Sequence, residues 1–201
     1  MKKQREIRMD KFTLLKKRWE KSHLPVVFYH TTFIENASLI LKEQKIIAKK
    51  GKSICKEKNG LVSLSDRITK GNIEFFGNVV FEFDALSIYR KNRLIAPKNY
   101  GSSSNIRKYD EIPLFENEWV IHKELEFDLA DINEMLFIMS KNYREPAFKD
   151  IVEVLKNNGI EYIFLPERSL ADNIVTDMTS YLLRMRGWGK FNNLLVYEVK
   201  K

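Results

Sequence analysis

Apolar residues in this chain come in short bursts and never in a long run. They read VVFY (26–29), LVSLS (61–65), VVFEF (79–83), EWVI (118–121), NEMLFI (133–138), IEYIFL (160–165) and NLLVYEV (193–199). Bursts this short, rich in β-branched and aromatic residues, have the length and composition of strands. None approaches the roughly 18 residues that a membrane-spanning helix needs. Between them lie segments with helical spacing. Ile7, Phe12, Leu15 and Trp19 form a stripe over 4–21, and Ile34, Ala37, Ile40 and Leu41 form another, with Thr32 as its expected N-cap. Pro146 opens the clearest helix, with Phe148, Ile151, Val152 and Leu155 on it and Gly159 closing it. A last helix is expected near 169–186.

Runs of short strands interrupted by a few helices predict an α+β fold with a mostly antiparallel sheet. LVSLS and GNVVFEFDA both read as half-buried strands, IIA (46–48) as a brief one, and LSIYRKNR as a single helical turn. PKNYGSSSNIRKYDEIP reads as a long polar surface loop. The expected organisation is a basic helical arm over 1–24 and a single domain over 25–201. A hydrophobic content of 44% with 12% aromatic residues suffices for a packed core. A single cysteine, Cys55, excludes an internal disulfide, and MKKQREIRMDK lacks a signal-peptide core. Together these lead us to expect a soluble cytoplasmic protein.

The net charge of +8 is unevenly placed. Residues 1–60 hold 16 Lys/Arg against 6 Asp/Glu, whereas the remainder is slightly acidic. Such asymmetry fits an acidic partner such as nucleic acid, and equally a solvated lysine-rich face. The three histidines (23, 30 and 122) and Cys55 show no metal-ligand spacing. There is no glycine-rich phosphate loop and no nucleophile elbow.

Three small signals remain. His30-x-Thr32 closes the first strand, and flat composition gives about 0.1 such pairs by chance. Glu116-x-Glu118 is less telling, because about 1.6 E-x-E pairs arise by the same counting. Ser63-x-Ser65 lies inside VSLSDR. In order, the chain runs H-x-T strand end, helix, lysine-rich turn, VSLSDR, GNVVFEFDALSIY, then E-x-E-W-V-I and NEMLFI, and finally a helix leading into GIEYIFL.

That succession, over roughly residues 26–165, resembles the ADP-ribosyltransferase superfamily, in particular its toxin-like and phage-related branch of the DNA-modifying DarT type. The resemblance implies a split antiparallel β-sandwich with flanking helices. It also implies an NAD-dependent mono-ADP-ribosyltransferase, with NAD as substrate. His30 and Thr32 would hold the ribose hydroxyls, Ser63 and Ser65 would support the site, and Arg67 would lie near the phosphates. Glu118 would be the catalytic glutamate, with Glu116 upstream orienting the nucleophile. An aromatic would stack on nicotinamide, with Phe76, Phe75, Tyr89 and Tyr100 all eligible. The acceptor expected is nucleic acid, or else protein, with a neutralising antitoxin as a further partner. The rival readings are an NAD glycohydrolase and a non-catalytic basic nucleic-acid-binding module. Each residue also has a bland role open to it: an edge-strand acid for Glu118, a hydrogen-bonded strand-end imidazole for His30, plain strand alternation for the serines.

Overall fold

The computed structural model describes residues 24–48, 60–68, 70–97, 107–108, 118–139 and 146–166. The helices expected over 4–21 and 169–186, the strand at 193–199, Cys55, Tyr100 and Glu116 lie outside the described residues. The division at residues 24 and 25 therefore stays an expectation of the sequence.

The described chain is α+β, dominated by one large, mostly antiparallel sheet with flanking helices. Its strands are β1 (Val27–Thr32), β2 (Lys45–Ile47), β3 (Leu61–Ser65), β4 (Val79–Asp84), β5 (Leu94–Ala96), β6 (Arg107–Lys108), β7 (Glu118–His122), β8 (Glu124–Glu126), β9 (Ile132–Met139) and β10 (Glu161–Pro166). The helices are α1 (Ile34–Glu43), α2 (Lys70–Phe76), α3 (Ala85–Lys91) and α4 (Pro146–Asn157). Eight strands form the large sheet in the order β10-β9-β4-β1-β3-β7-β5-β6, and β2 pairs with β8 in a small second sheet.

Several expectations need correction. The first strand runs on through His30 and Thr32, because Thr32 pairs with Val79 in the β1–β4 ladder. Thr32 therefore does not cap α1; Phe33 takes the N-cap position and makes no side-chain cap bond. The β4 strand is not half-buried. It is flanked by β1 and β9 and covered on both faces, so Val80 and Glu82 are as buried as Val79, Phe81 and Phe83. The α3 helix runs two turns rather than one, held at its start by the Asp84 side chain accepting from Ser87 N at 2.7 Å. The β10 strand lies parallel to β9, as the intervening α4 crossover requires.

Two apolar layers flank the sheet. The larger gathers Phe28, Leu64, Phe81, Phe83, Trp119, Met135 and Phe137 against α1, α3 and α4. Phe28 and Trp119 meet there with ring centroids 5.1 Å apart. The smaller layer gathers Tyr29, Val80, Leu136 and Ile138 against Ile68, after β3, and Ile73 of α2. Strand alternation explains the split, since neighbours along β1 and β4 point to opposite faces. No helix among the described residues is long and apolar enough to cross a membrane.

Candidate active site

The sheet is weakest at its middle. The β1 strand pairs with β4 along its whole length, and β3 pairs with β7 along its whole length. Yet β1 and β3 meet at a single Cα pair, Tyr29 with Ser65. Beyond that pair the ladder stops, leaving a seam between β10-β9-β4-β1 and β3-β7-β5-β6. Backbone carbonyls along such a seam need other donors.

His30 is one of them. Its Nδ1 lies 3.1 Å from the carbonyl oxygen of Ser63. A carbonyl can only accept, so Nδ1 carries the proton, and the neutral ring presents Nε2 as an acceptor. Burial pulls the His30 pKa below its ordinary value, against the opposing pull of the hydrogen bond to Ser63. The neutral tautomer is thus the favoured one.

Ser63 also works from its side chain, donating through Oγ to Oε1 of Glu118. The ladder places Glu118 directly opposite Ser65, and Ser65 opposite Tyr29, so Tyr29, Ser65 and Glu118 form one row across the sheet. The row continues through Glu82 on β4 and Glu134 on β9, both buried. By alternation His30 approaches Ser63 from the face of the larger core, whereas the Ser63 hydroxyl and Glu118 share the other face. The three residues are joined through Ser63, by its carbonyl on one side and its hydroxyl on the other. Glu118 is only half-buried, while its neighbours Trp119 and Val120 are fully enclosed, so the carboxylate stands at the edge of an apolar floor.

The other expected site residues are placed as follows. Thr32 is buried at the end of β1. Ser65 Oγ donates to Arg67 O at 2.6 Å, shaping the turn after β3. Arg67 is exposed, with Nε 3.4 Å from Asp66 Oδ1. Phe76, at the end of α2, is exposed, as is Phe75 beside it. Tyr89 packs against the larger core from α3. His122 ends β7 opposite Leu61 and is exposed. Glu124 and Glu126 flank the buried Leu125 on β8, so that second E-x-E is plain strand alternation.

Sequence reasoning missed Gly77. A β-carbon there would lie 2.3 Å from Thr32 C and 2.4 Å from Phe33 N, with φ at +125°. Only glycine lets the end of α2 lie against the end of β1. The available signal was a glycine between an aromatic pair and an apolar strand, F-F-G-N-V-V. Among the described residues, no group of His, Cys, Asp and Glu could hold a metal ion.

No family model matches the chain, and no curated protein does. Among solved structures it is similar to DarT of Thermus sp. 2.9. The form in complex with carba-NAD+ gives a TM-score of 0.40 at 14% identity, over 72% of this chain and 97% of that chain. The form in complex with ADP-ribosylated ssDNA gives 0.40 at 15%, over 70% and 94%. The form in complex with NAD+ gives 0.40 at 14%, over 70% and 96%. At these scores the likeness is loose, and any functional reading has to stand on the seam itself.

Proposed function

We propose that the chain is an NAD-dependent mono-ADP-ribosyltransferase built on a split sheet, with the split at the β1–β3 seam. The observation that carries the reading is the continuous link from His30 through Ser63 to Glu118. It joins the three signals of the sequence, H-x-T, S-x-S and the second acid of E-x-E, at one break in the ladder.

The chemistry follows from the parts. Cleaving the bond between nicotinamide and C1′ of its ribose sends the bonding electron pair to nicotinamide and leaves positive charge on the sugar. A carboxylate held beside the 2′-hydroxyl and C1′ stabilises that charge, as carboxylates do in glycoside cleavage. Glu118 has the charge, and Ser63 fixes its direction. His30, neutral and with Nε2 as acceptor, suits a ribose hydroxyl as donor. An incoming nucleophile then bonds to C1′ and gives up its proton, for which the sequence offers Glu116. Arg67, exposed beyond β3, suits a phosphate, and Phe76 suits the nicotinamide ring.

For the acceptor, the charge of residues 1–60 favours nucleic acid over protein. A toxin-like role with a neutralising antitoxin goes with that reading. The deciding experiment is incubation with radiolabelled NAD, with DNA, RNA and lysate as separate acceptors. Label in nucleic acid supports the full reading. Nicotinamide release without transfer reduces the protein to a glycohydrolase. No nicotinamide release under any condition overturns the enzyme assignment.

A further inference from the structure

We infer that Asp66 is a positioning residue for Arg67, holding the guanidinium so that its terminal nitrogens face the pyrophosphate of NAD. The inference rests on the NAD site proposed above and deepens it, by naming what aims its phosphate contact.

Arg67 stands in a turn that is clamped at both ends. Leu64 before it and Ile68 after it are each 1% exposed, one in each apolar layer. Between them the Ser65 hydroxyl donates to Arg67 O at 2.6 Å and lies 3.4 Å from Arg67 N, which ties the Arg67 backbone to the end of β3. The side chain is tied separately, with Arg67 Nε 3.4 Å from Asp66 Oδ1. The Asp66 side chain is only 8% exposed, against 49% for Arg67. The carboxylate thus holds the guanidinium from the protein side and leaves the rest of the fork open to a ligand.

That arrangement is directional. A guanidinium has five N–H donors in one plane, one on Nε and four on the terminal nitrogens. An acceptor on Nε fixes the plane and leaves the terminal edge, whose paired N–H groups match two phosphate oxygens. As a contribution to stability such a pair is small, because water competes for a half-exposed guanidinium. Its use lies in aim.

The position fits the ligand. Ser65 stands in the row with Tyr29 and Glu118, and Arg67 follows two residues on, roughly 7 Å of extended chain. In NAD the pyrophosphate hangs on C5′ of the ribose whose C1′ carries nicotinamide. A phosphate contact therefore belongs a short way from the carboxylate that faces C1′, and Arg67 is so placed.

The test measures ADP-ribose binding to the full chain by calorimetry and NAD turnover by nicotinamide release. Asp66→Ala should weaken ADP-ribose about 2- to 12-fold, the cost of ordering one long side chain on binding. KM for NAD should rise by the same factor with kcat unchanged, since the pyrophosphate is held alike before and during bond cleavage. Arg67→Ala should cost more, about 10- to 150-fold, by losing the charged contact itself. In that background Asp66→Ala should cost nothing further. Asp66→Asn keeps the shape and an oxygen for Nε, and should bind ADP-ribose as the wild type does. Arg67→Lys keeps the charge without the fork and leaves Asp66 untouched; it should bind more weakly than the wild type. Full affinity in Arg67→Lys, an equal loss from Asp66→Ala in the Arg67→Ala background, or a fall in kcat without a rise in KM overturns the positioning role. Nicotinamide release with wild-type ADP-ribose affinity in Asp66→Ala sinks that role alone. The expected losses of ADP-ribose binding without any nicotinamide release sink the enzyme reading and leave the positioning role standing. Absence of both turnover and ADP-ribose binding takes both down.

Discussion

Replacing Ser63 with alanine is the sharpest test of the seam, because it removes one hydroxyl and leaves the strand intact. That hydroxyl donates to a Glu118 oxygen. A hydrogen bond to an ionised group contributes about 1.5–3 kcal/mol. Ser63 is exposed, so water can take the vacated place, and the lower end of that range applies. A loss of about 1.5 kcal/mol in transition-state stabilisation corresponds to a roughly tenfold fall in kcat. Folding stability should hardly change, because an exposed serine on a strand buries little. Nicotinamide release, followed against NAD concentration, separates kcat from KM, and urea denaturation checks the fold. The effect should vanish when Glu118 is already Gln, since the hydroxyl acts only by directing the charge. A fall of less than threefold in the wild-type background would refute the reasoning. So would an equal fall in the Glu118→Gln background, because the two residues would then act independently.

Glu118→Gln should leave the melting temperature within a few degrees and cut NAD turnover by about 10²–10³, the range for losing one preorganised electrostatic group; circular dichroism with the same nicotinamide assay checks both. His30→Ala should weaken NAD binding by about 1–3 kcal/mol, read by calorimetry. The folded-state pKa of His30 is lowered, so the protonated form is disfavoured in the folded chain. Its contribution to stability is therefore fully present above the unfolded value of 6.5 and is lost as pH falls through the folded value. Urea midpoints measured from pH 7.5 down to pH 4.5, a window of about three pH units around that transition, should fall less steeply in His30→Ala. Gly77→Ala forces a β-carbon to 2.3 Å from backbone at a φ closed to L residues. It should destabilise by about 2–5 kcal/mol, which thermal denaturation would register as a clear drop in midpoint.

Much of the fold was legible because period and punctuation agree locally. The Pro146 start and Gly159 stop of α4 announce themselves, and Gly159 does adopt positive φ at +66°. The alternation of LVSLS matches its burial, with Val62 and Leu64 inward. Failures came where tertiary context decides. VVFEF alternates in its letters, yet a central strand is covered on both sides whatever its pattern. The pairing of β2 with β8 joins Ile46 to Leu125, and nothing local in either stretch announces a partner so distant in sequence. Helix α2, with Gly71 in its first turn and no acidic residue there, gives no start signal. Thr32 looked like a cap because Thr before an apolar period usually is one; its place in the β1–β4 ladder took precedence.

The contacts at the seam of the candidate site were legible in a different way. A sheet that drops its ladder after one pair leaves peptide groups wanting partners, and unpaired buried groups cost free energy comparable to a lost hydrogen bond. Residues with short polar side chains, or an imidazole, are what a chain can place there to make good the loss. His30 meets Ser63 O, and the Ser63 hydroxyl turns to Glu118. His30 of H-x-T and Ser63 of S-x-S therefore both repair the broken sheet and edge the break, whereas Thr32 stays in the β1–β4 ladder and Ser65 turns to Arg67. A gap between strands that is edged by directed polar groups on an apolar floor is also what a flat, hydroxyl-rich, cation-forming substrate needs. The break that weakens the sheet is edged by His30 and Ser63, and the Ser63 hydroxyl reaches across to Glu118.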